Sequence, residues 1–294
     1  MGDWRRRVLG AFSILLIGIF LNGCARGIVE FQLYTQAFDS QYEQGQIVLD
    51  RVARAERIVV GRRLGRASTT SAFNPNDAAY YLQTGDPPIT ASIRASLKSL
   101  KDYNDALGAL ASGEAAEALT ARAGTLSVAL LGAAGALATA TGGAALVTGA
   151  PQLIGGASAA VNQALPIVQR VATYASRDAF RQQLVEAYPA MRDLMLALRD
   201  GTPAMFEIMK RSYVRRGSLE TPSGISDSDM ALLEKDRQLL AGWVVLMDKS
   251  MAAMEVAVTT ALSGASPADL ATLTAASVEL QVLAAQVHDI RRTP

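Results

Sequence analysis

The chain has 294 residues, with 28 Lys and Arg against 27 Asp and Glu, one His and one Cys. Near-neutral charge argues against a general nucleic-acid binder, which carries a strongly basic face. A single thiol rules out a disulfide framework within the chain, so stability must come from a core, and half of the residues are hydrophobic enough to build one.

Residues 1–24 have the layout of a secretory signal. Arg5, Arg6 and Arg7 form a basic start, 8–21 is an apolar stretch too short for a transmembrane helix, and Leu21-Asn22-Gly23-Cys24 follows. This tetrapeptide resembles the bacterial lipoprotein signal, the lipobox. Leu21 stands at its first position and small Gly23 precedes the cysteine, while Asn22 departs from the usual small or apolar residue. The resemblance implies cleavage after residue 23, a diacylglycerol on the Cys24 thiol and an acyl chain on its new amine. It also implies residence in the bacterial envelope. Ala25 in place of an inner-membrane-retaining Asp favours the outer membrane, with the protein facing the periplasm. An uncleaved N-terminal anchor is the alternative. Removing 1–23 takes away three Arg and one Asp and leaves 25 basic against 26 acidic residues. The remainder, 24–294, reads as a single all-α domain.

From 28 to 63 the spacing predicts one long helix. Phe31, Tyr34, Phe38 and Tyr42 recur at three and four, then Leu49, Val52 and Val59 continue, with Gly45 weakening the middle. The stretch 64–90 is an irregular loop with turn signals at Asn74-Pro75-Asn76-Asp77 and Gly85-Asp86-Pro87-Pro88. A short helical turn over 78–83 carries Tyr80 and Tyr81. An amphipathic helix over 91–111 follows, with Ile93, Leu97, Leu100, Tyr103, Leu107 and Leu110 on one face and Ser112-Gly113 at its end. Its Tyr103-Asn104-Asp105-Ala106-Leu107 portion looks like stretches in helical bacterial lipoproteins of unknown function.

The centre of the chain, 123–169, contains 47 residues without Asp, Glu, Lys, Arg or His. It reads as an Ala- and Gly-rich helical hairpin, with pieces over 119–140 and from Leu153 onward and glycine breaks between. Such a run is long enough to span a bilayer, but Ala and Gly gain little from leaving water. The expectation is therefore a hairpin buried in the bundle. The alternative is a membrane-inserting hairpin, since an apolar element among long amphipathic helices looks like the α-helical pore-forming toxins in architecture.

Residues 167–199 become amphipathic again, with Pro189 expected to kink or break the helix. Thr202-Pro203 opens a short helix ending near Gly217. Ser226 and Asp229 form a capping box, and Ile225 and Met230 are placed as its hydrophobic staple. The helix that follows has Met230, Leu233, Leu240, Val244, Met247, Met251, Met254 and Val258 as a seam, with Arg237 its polar member. Ser266-Pro267-Ala268-Asp269 repeats the cap and launches Leu270, Leu273, Leu280, Leu283, Val287 and Ile290.

The expected fold is an all-α bundle of long antiparallel amphipathic helices around the uncharged hairpin. Short connections imply antiparallel neighbours. His288, the one histidine, lies in no nucleophilic motif, and one His with one lipidated Cys makes no usual zinc site. The glycines of 132–156 lack the phosphate-loop ending. We therefore expect no catalytic, cofactor-binding or metal residue and no small-molecule substrate. The methionines Met230, Met247, Met251 and Met254 fit a core, or else an adaptable partner groove. Two basic clusters, Arg51, Arg54, Arg57, Arg62, Arg63, Arg66 and Lys210, Arg211, Arg215, Arg216, fit solvated helix faces, or else contact lipid phosphates or an acidic partner. The expected role is that of a lipid-anchored, non-enzymatic structural or interaction protein. It meets the membrane through Cys24 and an envelope protein as partner.

Overall fold

A computed structural model describes residues 28–64, 78–82, 84–144, 149–171, 176–214, 225–263 and 266–292. Of the described residues 93% are helical and none is in a strand. The helices are α1 (Ile28–Leu64), the single turn α2 (Ala78–Tyr81), α3 (Pro88–Ser112), α4 (Ala116–Ala144), α5 (Ala150–Val171), α6 (Arg177–Asp200), α7 (Thr202–Tyr213), α8 (Asp227–Ser263) and α9 (Pro267–Arg292). The eight longer ones form the expected all-α bundle.

The amphipathic helix α3 is the hub. It packs against α1, α4, α5, α6 and α8. Ile93, Leu97, Leu100, Tyr103, Leu107 and Leu110, the positions set by its three-four spacing, are all buried. Antiparallel packing of α1 on α3 is fixed by side-chain bonds along its length: Tyr34 O–H donates to Asn104 Oδ1, Lys101 Nζ lies 2.7 Å from Asp39, and Thr90 N–H donates to Glu56. α8 runs antiparallel to α1, with Arg51 2.9 Å from Asp236 at one end and Phe31, Tyr34, Ala253 and Ala257 clustered at the other. α9 returns along α8, tied by Lys249 to Glu279 at 2.7 Å, and also covers α1.

The local signals for helix ends hold at both serines. Asp229 N–H donates to Ser226 Oγ and Asp269 N–H to Ser266 Oγ, each at 3.2 Å. Each serine hydroxyl in turn donates to the carboxylate of its partner. The staple at the first of them differs from expectation. Ile225 is buried, but Met230 is exposed, because it points off the seam that starts at Leu233. Gly113 closes α3 with φ +80°, and its N–H reaches back to the last turn.

Three other expectations are corrected. The helix expected over 167–199 is two, α5 and α6. Ser176 N-caps the second through a bond from Ala179 N–H, an end signal that outweighs the apolar periodicity on either side. Pro189 does not end α6. It is exposed, where water can replace the missing donor. The cap of α7 is Gly201 rather than Thr202, whose hydroxyl donates instead to Arg199 O at 2.6 Å.

Gly45, which looks like a weak point of α1, is where α3 and α8 close on it. A Cβ there would lie 2.7 Å from Leu97 Cδ2 and 3.0 Å from Trp243 Cζ3. Gly45→Leu is expected to lower stability by about 1–3 kcal/mol through overpacking, read as a drop in the urea midpoint. An unchanged midpoint would mean that the three helices do not meet at this residue.

Candidate functional site

Cys24 and the rest of the signal-like segment lie outside the described residues. The chain enters the bundle at Ile28, four residues on. The first turns of α1, through Gln32 and Thr35, border one polar depression together with the end of α3 and with Glu114 and Arg122 at the start of α4. Arg122 holds Glu114 in two bonds, at 2.6 and 2.8 Å, which keeps that carboxyl below its usual range. The N-terminal end of α1 therefore lies beside the start of the uncharged hairpin.

That hairpin is α4 and α5. Leu126, Leu130, Ala133, Leu137 and Ala140 of α4 are buried against the bundle, as are Leu153, Ile154, Ala157, Val161 and Ala164 of α5. The opposite side of α4 is open. Val128 is 69% exposed and Leu131 50%, and a Cβ added at Gly132 or Gly135 would meet nothing within 4 Å. Among the described residues two helices are long and apolar enough to cross a membrane by length and composition, Ala116–Thr141 and Pro267–Val287. The outer side of the second carries Glu279 as well as exposed Val278 and Val282.

The described members of the basic clusters are drawn into different contacts. Arg51 pairs with nearly buried Asp236, which also accepts a 2.7 Å bond from Tyr213 O–H. Burial, then Asp236, pushes that phenol up to about 12. Arg57 donates to the Gly85 carbonyl. Arg62 donates to Arg211 O at 3.3 Å and Val214 O at 2.9 Å, so it caps the C-terminal end of α7, where a cation is favoured. Lys210 and Arg211 both reach Glu207, while Arg54 and Arg63 are exposed. Arg66, Arg215 and Arg216 lie outside the described residues.

Of the methionine stripe, Met247, Met251 and Met254 belong to the core, while Met230 is exposed. Met247 and Met254 are fully buried and Met251 partly so. Arg237, the polar member of the seam, stacks 5.3 Å above the Phe206 ring. It borders a shallow apolar cavity of about 560 Å³ lined by Pro203, Phe206, Leu240 and Val244. Arg199 at its rim is already held by Asp248 and Asp200, both at 2.8 Å.

The most elaborate polar arrangement was not legible in sequence. Glu56, fully buried on α1, accepts from Tyr80 O–H at 3.1 Å, Ile89 N–H at 3.0 Å, Thr90 N–H at 2.9 Å and Thr90 O–H at 2.8 Å. It is the N-terminal cap of α3, supplied from another helix. This is why α3 starts at Pro88 and not at Ala91, with proline where its missing N–H does no harm. Burial pushes the carboxyl above its usual range, against the four bonds that pull it down. With all four donors internal, this carboxylate has no open side for a substrate.

Among the described residues no group of three or more His, Cys, Asp or Glu is placed to hold a metal ion. His288 lies within α9. No protein-family model, no curated protein and no solved structure matches this chain.

Proposed function

We propose that the protein is a lipid-anchored component of the bacterial envelope with a non-enzymatic structural or interaction role. It is held through lipid on Cys24, in the outer membrane and facing the periplasm. The observation that carries this reading is the Leu21-Asn22-Gly23-Cys24 segment four residues ahead of a long-helix bundle. The polar clusters support it, since Glu56, Asp236, Arg62 and Glu114 are each spent on holding helices together. An envelope protein is the proposed partner, to be recovered by pull-down from detergent-solubilised envelopes.

Cys24→Ser removes the acyl acceptor. The expected result is loss of label from a palmitate analogue and accumulation of unprocessed precursor. Equal labelling of variant and wild type would end the lipoprotein reading.

The second reading, a hairpin that inserts into or perforates a bilayer, is favoured by one observation. The apolar window of Ala116–Thr141 is only 39% buried. Against it stands the packing of Leu126, Leu130 and Leu137, which insertion would have to undo. Dye-loaded vesicles are expected to stay sealed when the protein is added.

A further inference from the structure

We infer that the outer face of α4 rests on the surface of the membrane that carries the lipid anchor, with the bundle intact. This deepens the proposed anchoring and rests on it. Three observations converge.

The first is the chemistry of the face. The exposed positions Ala121, Thr125, Val128, Leu131, Gly132, Gly135 and Ala138 recur at three and four along one side of the helix. From Ala123 onward the whole hairpin lacks charge. Elsewhere on the bundle exposed apolar residues are interleaved with ions, as Val278 and Val282 are with Glu279 on α9. Between Thr125 and Ala138 this face carries neither cation nor anion, the exposed Glu117 lying two turns earlier, and such a surface suits uncharged headgroups and acyl-chain tops and gives no grip on an acidic partner.

The second is place. Three residues lie between Cys24 and Ile28, and the four steps from one to the other span at most about 14 Å, so the acyl chains enter the bilayer close to the start of α1. Gln32 and Thr35 there border the same depression as Glu114 and Arg122 at the start of α4. The anchor thus sets the bilayer beside the first turns of α4. It does not set it beside the end of α1 that carries Arg62 and Arg63.

The third is depth. Only Val128 and Leu131 are large side chains on this face, and Leu126, Leu130 and Leu137 on the other are committed to the core. The contact is therefore shallow and weak by itself. Tethering makes weak contact sufficient, because the anchor keeps the face at a high effective concentration beside the lipid.

The test uses full-length protein purified from membranes and reconstituted on phosphatidylcholine vesicles, with acylated Cys24 leaving a single engineered thiol. An environment-sensitive dye is attached at Val128→Cys, or at Val282→Cys on α9, also an exposed position, as a control. Flotation first reports the anchor. On floated vesicles the dye at 128 is expected to shift to the blue and to lose at least half of its quenching by iodide. The dye at 282 should keep both values. Floated protein whose position 128 quenches as freely as position 282 overturns the contact and leaves the anchor standing. Failure to float overturns the anchor and, with it, the tether that the contact requires. Release of vesicle contents would replace surface contact with insertion and overturn the proposal too.

Discussion

Glu56→Ala is expected to lower the unfolding free energy by roughly 3–5 kcal/mol. The substitution leaves the N–H groups of Ile89 and Thr90 and the hydroxyls of Tyr80 and Thr90 without their acceptor in a place water does not reach. An orphaned buried donor costs about 1–3 kcal/mol, less where a hydroxyl can rotate to a new partner. The loss should appear in urea unfolding followed by helical circular dichroism, and a loss under about 1 kcal/mol would mean that α3 does not need the cap. The pH dependence has a definite sign. Burial raises the native carboxyl above its value in the unfolded chain. The native state therefore gains from this group below the unfolded value, and the gain disappears as pH rises through the native one. Glu56→Gln does not titrate. The stability of wild type relative to this variant should fall as pH rises from about 4, the ordinary carboxyl value, through the raised native one. A rise over that range would mean that the four hydrogen bonds outweigh desolvation.

Leu137→Asp is the second change of large effect. Leu137 is 1% exposed on the inner side of α4, in one cluster with Leu107 of α3 and Leu153 of α5. A lone carboxylate there has no partner, and changes of this kind reach about 4–5 kcal/mol. Val128→Asp, on the outer side of the same helix, should stay within about 0.5 kcal/mol in the absence of lipid. The pair tests the rotation of α4 about its axis. Equal losses at the two positions would show that α4 is covered on both sides, and a tolerated Leu137→Asp would show that its inner side is free.

Most of the bundle was legible because the information is local. Leu97, Leu100 and Leu107 give α3 by spacing alone, and Ser226 and Ser266 mark helix starts with side chains three residues from their partners. The failures have the opposite character. Glu56 looks like one more charge in an Arg-rich helix, and its role depends on Ile89 and Thr90, more than thirty residues away. Gly45 reads as a helix defect because the rings and methyls that need its small size belong to α3 and α8. The interruption at Ser176 is hidden because apolar residues on both sides keep a helical rhythm, while the cap itself is a single residue. In the hairpin, composition announced the absence of charge. It could not say that Leu126, Leu130 and Leu137 face inward while Val128 faces out, since Ala and Gly on every side blur the amphipathic signal.

The pairing of α1 with α9 has a consequence in time. The apolar face of α1 is shared among α3, α7, α8 and α9, and Phe31 and Tyr34 cluster with Leu273 of α9. About 200 residues separate Leu64 from Pro267, so at synthesis rates of about 5–20 residues per second roughly 10–40 s pass before the partner exists. Neighbouring hairpins such as α3 with α4 and α5 with α6 can form early from nearby contacts, and α3 can cover part of α1, but the surface of Phe31 and Tyr34 that meets Leu273 waits for α9. Such a nascent chain keeps part of α1 uncovered until α9 is made. It is suited to being held open by a carrier during that interval, and closure then sets α9 against α1.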